Sequence, residues 1–214
     1  MAFFLLAAIP SAAQNTDIGG WLSYSLQHKL TKKWMLEISP ELRFNQDFSQ
    51  LDRVVTDLSV EYKPIKPLEI TGGYRLALRN QTYNDRIRHR LFADVKWSQK
   101  LHKRVELFYR IRYQNRFSDF NFQTEENRNS NFLRHKIGTD LNLPKKLSTR
   151  LAVDFWQPVG SEQSQLQNRR YSFLLGWDQT KNHRWQIGIL HDKVLNSPFD
   201  NEAVIFVLKH RMRI

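Results

Sequence analysis

The sequence predicts an all-β fold, namely a transmembrane antiparallel up-and-down β-barrel of about 10–12 strands with short periplasmic turns and longer extracellular loops. Three observations lead to this prediction. Apolar and polar residues alternate with period two over long stretches, which indicates strands with two different faces. Most stretches run ten residues or more, and a transmembrane strand needs about 9–11 residues whereas a soluble strand has about five or six. Short and long connectors take turns along the chain.

The N-terminal segment differs from the rest of the chain. Residues 1–14 are expected to be a cleaved signal peptide, and residues 15–214 form the barrel. The uncharged apolar run at residues 3–9 is too short to span a bilayer as a helix, and Ser11 and Ala13 are small residues of the kind that signal peptidase accepts. A buried N-terminal helix is the alternative, but the segment has no amphipathic period.

Eleven alternating segments follow one another. In the second, Trp34, Leu36 and Ile38 share one face, while Met35 and Glu37 lie on the other. The segments begin near Ile18, Trp34, Val54, Leu68, Arg86, Val105, Phe132, Thr149, Arg169, Trp185 and Ala203. Short connectors at 31–33, 64–67, 100–103, 144–146 and 181–183 take turns with longer ones near 46–53, 80–85, 118–130, 159–168 and 195–202.

The number of segments is odd, whereas a barrel with both ends in the periplasm needs an even number of strands. Three explanations stay open. The first segment pairs in two pieces around Gly19 and Gly20, or its start lies on the outer side, or one strand is merged or missed.

Aromatic residues mark one end of the strands. On the apolar face, close to the short turns, we expect a periplasmic aromatic belt formed by Trp34, Tyr62, Trp97, Trp177 and Trp185. Aromatic residues packed in a soluble core have no reason to gather at one end of the strands.

Six different short motifs are distributed along the mature chain: Gly20-Trp21, Pro40-Glu41-Leu42-Arg43-Phe44, Asp57-Leu58-Ser59-Val60-Glu61-Tyr62, Gly73-Tyr74-Arg75, Arg88-His89-Arg90 and Tyr109-Arg110-Ile111-Arg112-Tyr113-Gln114. In these motifs the chain resembles the domain-of-unknown-function 2490 family of outer-membrane β-barrel proteins. The resemblance implies a location and a fold, and it carries no reaction or catalytic residue.

The charged residues of the chain also bear on its function. The chain of 214 residues has 33 Lys and Arg against 21 Asp and Glu, a net charge of +12, and no cysteine. The missing cysteines exclude disulfides and cysteine-based metal sites, and export makes a nucleic-acid partner unexpected. Because an arginine facing lipid costs about 2–4 kcal/mol at mid-bilayer, the charged face must line the lumen.

A lumen site for anions is expected from seven arginines: Arg79, Arg88, Arg90, Arg110, Arg112, Arg116 and Arg134. Structural ion pairs with carboxylates of the same face are the alternative role for each of them. If the turn at 100–103 pairs Trp97 with Val105, Arg90 lies opposite Arg112 and Arg88 opposite Gln114. Like charges in direct opposition destabilise a strand pair unless an anion, a carboxylate or water lies between them.

The expected function is a narrow porin-like channel for small anionic solutes in the outer membrane of a Gram-negative bacterium. The alternative is a closed structural or binding barrel that meets a partner through its loop at 118–130. A lipid-modifying enzyme is the third class, but no serine shares a face with His89 or His135 at a suitable position, so no enzyme activity, metal or cofactor is expected. Expected partners are outer-membrane lipids, lipopolysaccharide, and the barrel assembly machinery, which meets the C-terminal strand.

Overall fold

The computed structural model describes residues 16–79, 86–118, 130–160, 165–195 and 202–214. These residues form eleven strands and no helix, so no described helix is long and apolar enough to cross a membrane. The strands are β1 (Thr16–Lys29), β2 (Trp34–Asn45), β3 (Gln50–Ile65), β4 (Leu68–Arg79), β5 (Arg86–His102), β6 (Val105–Phe117), β7 (Ser130–Asn142), β8 (Leu147–Val159), β9 (Asn168–Asp178), β10 (His183–Val194) and β11 (Glu202–Arg213).

The strands close into one barrel. Each strand pairs in antiparallel fashion with the next, and β1 pairs with β11 in parallel from Thr16 opposite Glu202 to Gln27 opposite Arg213. An up-and-down barrel with an odd number of strands closes only through such a parallel pair. The count of eleven is therefore confirmed, and the odd number is explained by the second possibility, because β1 begins at the end of the barrel where β11 also begins.

The connectors define two ends of the barrel. At the short-turn end, five connectors of two to four residues lie at 30–33, 66–67, 103–104, 143–146 and 179–182. The opposite end, called here the long-loop end, carries the connections β4 to β5, β6 to β7, β8 to β9 and β10 to β11. Residues 80–85, 119–129, 161–164 and 196–201 of these connections lie outside the described residues, as does the predicted signal peptide at 1–14.

One predicted long loop is wrong. The connection between β2 and β3 is a turn of residues 46–49, and Gln46, Asp47 and Phe48 all have positive φ angles of 50°, 54° and 65°. The Ser49 amide donates a hydrogen bond to the Gln46 carbonyl at 3.0 Å. β3 begins at Gln50, and a register shift beside Arg43 interrupts the alternation there. This bulge hid the beginning of β3 from a search for period two.

The two faces of the wall differ as the alternation predicts. Large apolar side chains point outward on every strand, and among them Leu22, Ile70, Ile137 and Ile187 are 40–55% exposed. Most charged side chains of the strands point into the lumen. An apolar cluster also lies inside the barrel, beneath the parallel pair: Trp21, Leu174, Leu190, Ile205 and Val207.

Candidate functional site: the barrel lumen

A cavity of about 950 Å³ occupies the lumen. Met35, Lys63 and Arg213 line it at the short-turn end, and Asp17 and Arg79 line it at the long-loop end. Its walls are mainly charged. The cavity thus extends along the barrel between the two ends of the described structure.

Several arginines in the wall are neutralised by an aspartate directly across the neighbouring strand. Arg75 faces Asp57, and its Nε and Nη2 each donate to the carboxylate at 2.5 Å. Arg112 faces Asp94 in the same way at 2.5 and 2.6 Å. Arg150 with Asp140 and Arg170 with Asp192 repeat the arrangement. Such two-point pairs are among the strongest charge-assisted hydrogen bonds, so these arginines stabilise the wall.

Asp154 is the centre of a larger network. Its side chain is fully buried and accepts a hydrogen bond from Arg134 Nε at 2.8 Å. Lys136 Nζ lies 3.2 Å from its second oxygen, and Arg110 lies 3.6 Å from the first. Arg110 is also 3.7 Å from Asp94, which links this network to the Asp94–Arg112 pair.

Aromatic rings hold several of these guanidinium groups in place. Arg112 lies 4.1 Å from the centre of the Phe92 ring, and Arg134 lies 4.4 Å from that of Trp156. Stacking of this kind adds a cation–π attraction and restricts the arginine to one orientation. Phe92 and Trp156 are themselves buried and line the lumen cavity.

Arg90 and Arg116 differ from the arginines above. They face each other across β5 and β6, and Arg75 faces Arg90 from β4, so three arginines stand in one row across the wall. Among the described residues, neither Arg90 nor Arg116 has a carboxylate within 4.0 Å. Arg90 Nε is buried and makes no hydrogen bond.

Arg116 is held by neutral groups. It stacks 4.5 Å from the Phe132 ring centre, and it donates to the Gln114 amide at 2.8 and 3.2 Å when that amide is oriented with its oxygen toward the guanidinium. The row of three arginines therefore has one carboxylate, that of Asp57, and carries an excess of positive charge.

The seven arginines of the predicted anion site thus occupy different environments. Arg110, Arg112 and Arg134 belong to the Asp94 and Asp154 network, and Arg79 lies 3.1 Å from Asp52. Arg88 is exposed near the long-loop end and does not line the cavity. The structure brings Arg90 and Arg116 together, and none of the residues it describes places a carboxylate beside them.

The predicted register of β5 and β6 is wrong. The two strands continue to His102 and Val105 around a turn of two residues, 103–104, so Trp97 lies opposite Tyr109. This register puts Arg116 across from Arg90 and Asp94 across from Arg112. Alternation assigns residues to a face but contains no information about how far a hairpin continues, so the pairing of acids with bases was not visible in the sequence.

The aromatic residues of the predicted belt lie on the outer surface near the short turns. Trp34 stacks on Tyr62 with 4.5 Å between ring centres, and Trp177 lies opposite Trp185 on the neighbouring strand. Trp97 lies between Leu68 and Tyr109. These side chains lie at the same end of the barrel in three groups, on β2 and β3, on β5, and on β9 and β10.

A closed barrel with a charged lumen and an apolar outer surface defines a porin-like β-barrel. The chain is similar in structure to the solved protein titled "NanC porin structure in rhombohedral crystal form", with a TM-score of 0.56 over 92% of this chain and 99% of that chain. Sequence identity is 11%, so this likeness concerns the fold alone.

The family is given by sequence. The chain belongs to the family described as "Protein of unknown function (DUF2490)", whose model matches residues 18–203. The resemblance seen in the motifs is thereby confirmed. A comparison with curated proteins finds no match.

Proposed function

We propose that this protein is an outer-membrane channel of a Gram-negative bacterium that passes small anionic solutes through a narrow, arginine-lined lumen. The observation that carries the proposal is the cavity between the two ends of the barrel, with Arg90 and Arg116 in its wall and no carboxylate of the described residues beside them.

The outer surface supports a membrane location. On neighbouring strands, Phe173, Ile189 and Phe206 form one apolar row, and Leu175, Ile187 and Leu208 form the next. Exposure of such an apolar band to water is unfavourable, whereas its contact with the apolar interior of a bilayer is favourable. The tryptophans near the short turns then lie where a membrane interface favours them.

The size of the cavity supports passage of small solutes only. A strand of twelve residues tilted by about 40° spans roughly 30 Å, so 950 Å³ corresponds to a mean cross-section of about 30 Å². That is room for an ion or a small sugar acid, but not for a folded peptide.

Charge supports the choice of anions. Arginine stays protonated at any physiological pH and offers a planar fork that matches a carboxylate or phosphate group. Arg90 and Arg116 repel each other and have no acidic neighbour in the described part of the chain. An anion between them therefore relieves the repulsion, and a cation increases it. Charged rings select ions in other pores by the same physics.

The test is the reversal potential of single channels in a planar bilayer under a potassium chloride gradient. We expect chloride selectivity in the wild type and a clear loss of it in Arg90→Ala with Arg116→Ala. The matched control is Asp140→Ala with Arg150→Ala, which also shortens two lumen side chains but leaves the net charge unchanged, and it should stay anion-selective. A wild type that does not conduct, or unchanged selectivity without Arg90 and Arg116, contradicts the proposal.

Solute preference needs its own measurement. Liposomes that contain the wild-type barrel should swell faster in glucuronate than in glucose, and the Arg90→Ala, Arg116→Ala variant should lose the difference. Equal rates for both sugars in the wild type would leave a channel without the proposed selectivity.

One observation favours the closed-barrel alternative. The inner cluster of Trp21, Leu174, Leu190, Ile205 and Val207 fills the side of the lumen beneath β1 and β11. A closed barrel predicts no current from the wild type and a current from Trp21→Ala. A partner-binding role of the loop at 118–130 concerns residues that lie mostly outside the described part of the chain.

The proposed channel is not an enzyme and uses no cofactor. In this proposal its partners are the outer-membrane lipids with lipopolysaccharide, and the barrel assembly machinery, which meets the C-terminal strand β11.

A further inference from the structure

Basic and acidic side chains stand in one row on the outer surface of β9, β10 and β11, at the long-loop end. Arg169 faces Lys193, and Lys193 faces Glu202. The next row toward the middle of the barrel contains Tyr171 and His191. Both rows point away from the lumen, because Arg170, Asp192 and Ala203 line the cavity from the same strands.

The acid in this row is already engaged. Glu202 lies 2.6 Å from Lys193 Nζ and 3.1 Å from His191 Nε2. Arg169 has no carboxylate within 4.0 Å among the residues that the structure describes, and its Nε is buried without a hydrogen-bond partner. Its guanidinium lies 4.9 Å from the Tyr171 ring centre. Arg169 is thus oriented by a ring, and no carboxylate of the described residues neutralises its charge.

An apolar groove begins on the same strands, just below these rows. It has a volume of about 550 Å³, and its walls include Phe173, Ile187, Ile189, Phe206 and Leu208. Phe48 closes one side from the turn between β2 and β3, with its ring centre 6.0 Å from that of Phe206.

Phe48 reaches the groove because residue 20 is glycine. A Cβ atom at Gly20 would lie 2.3 Å from the Phe48 ring, a distance that no side chain tolerates. Three residues with positive φ bend the turn toward this position. The groove is therefore a built feature with its own wall, in addition to the general apolar surface of the strands.

The spacing of the two features suits a lipid. Arg169 and Phe173 are four residues apart on one strand, which is about 13 Å. A phosphorylated lipid likewise carries an anionic group at one end and acyl chains at the other, and the long side chain of Arg169 covers part of the distance between the two features. The polar and apolar parts of one amphiphile thus meet complementary surfaces. A second copy of the barrel fits less well, because Glu202, the described acid beside its own apolar band, already contacts Lys193 and His191.

We propose that the outer surface of β9–β11 binds one phosphorylated lipid of the surrounding leaflet, with the phosphate on Arg169 and an acyl chain in the groove beside Phe48. The inference rests on the proposed membrane location but not on conduction. In the outer leaflet of a Gram-negative outer membrane, the lipid of this chemistry is lipid A.

Native mass spectrometry of the folded barrel in detergent tests the site with two probes, lipid A and dephosphorylated lipid A with the same acyl chains. We expect one lipid A per barrel, and binding about tenfold weaker for Arg169→Ala because charge-assisted hydrogen bonds to phosphate are lost. Dephosphorylated lipid A should bind more weakly and should not respond to Arg169→Ala. Lys66→Ala removes the same charge at the short-turn end and should bind like the wild type.

Phe48→Ala tests the groove separately, and it should weaken binding of both lipids. Equal binding of the two lipids by the wild type, or no effect of Arg169→Ala, overturns the proposal. Complete displacement by inorganic phosphate indicates a free-anion site instead, and a dimer that forms without lipid indicates a second copy in the groove; either outcome also overturns the proposal.

If Arg169→Ala does not fold, as seen from its migration in unheated gels, Arg169→Gln replaces it. Because this assay needs no current, its failure is distinct from failure of the proposed channel.

Discussion

At the scale of single residues, Asp154 shows how the lumen accommodates many arginines although their positive charges repel one another. The carboxylate has no exposed surface, and Arg134, Lys136 and Arg110 all lie within 3.6 Å of it. Without its negative charge, three cations would share a buried space. Removing one partner from a buried ionic network costs about 3–5 kcal/mol, which is much more than the net contribution of an intact pair.

Asp154→Asn should therefore destabilise the barrel by about 3 kcal/mol or more, because the amide keeps the shape and loses the charge. The measurement is urea unfolding of the liposome-inserted barrel, followed by tryptophan fluorescence. Asp178→Asn is the control: Asp178 lies at the short-turn end, its side chain is 44% exposed, and its partner Arg184 is 3.4 Å away. An exposed pair contributes about 0–1 kcal/mol, so this variant should unfold almost like the wild type. Equal losses in the two variants would contradict the central role of Asp154.

The sequence was informative about these residues up to a limit that physics explains. Period two assigned Arg90, Arg112 and Arg116 to the lumen face, because successive side chains of a strand point in opposite directions. It did not assign partners, because partners depend on register. Arg90 was expected opposite Arg112, yet Arg112 pairs with Asp94, and Arg90 faces Arg116. The site of unneutralised charge therefore became visible only in three dimensions.

At the scale of elements, the parallel pair of β1 and β11 is the unusual part of the wall. A parallel pair is slightly less stable per residue than an antiparallel one. The inner apolar cluster lies beneath this pair: Ile205 and Val207 come from β11, and Trp21 comes from β1. Burial of these side chains joins the two strands from the inside, in addition to the backbone hydrogen bonds.

Ile205→Ala should thus weaken the closure of the barrel. Ile205 is 7% exposed, and truncation of a buried isoleucine to alanine costs about 2–5 kcal/mol. Ile187→Ala is the matched control on the neighbouring strand, since Ile187 is 55% exposed on the outer surface, where truncation leaves no buried cavity. The midpoint of urea unfolding measures both. A larger shift for Ile187→Ala would show that the inner cluster does not stabilise this pair.

Element boundaries followed from the sequence wherever the alternation was regular. β2, β4, β5 and β6 begin at the predicted residues Trp34, Leu68, Arg86 and Val105. β3 was predicted to begin at Val54 but begins at Gln50, because the bulge places Asp52 and Arg53 on the same side of the wall. A bulge adds one residue to one strand and shifts the alternation of faces by one position. A search for strict period two therefore ends the strand at the bulge.

At the scale of the whole molecule, the sequence predicted the number of segments but not how the barrel closes. Closure depends on which edges meet, and no local pattern contains that information. With eleven strands, the edges of β1 and β11 run in the same direction, and the register places Leu22 beside Leu208 and Gly20 beside Phe206. This arrangement also sets the groove next to the parallel pair, since Leu22, Phe206 and Leu208 all line it.

The parallel closure predicts a specific disulfide. The chain has no cysteine, so Leu22→Cys with Leu208→Cys introduces one pair on an otherwise clean background. Neighbouring residues of paired strands have Cα atoms about 5 Å apart, within the range that a disulfide spans. Mild oxidation of the folded barrel should therefore cross-link this pair, which is detected as a change in gel migration that reductant reverses. Leu22→Cys with Phe206→Cys is the control, because it lies one pleat out of register on the same outer face and should react much more slowly. If β1 and β11 were not neighbours, neither pair would form, and the eleven-stranded closure would be wrong.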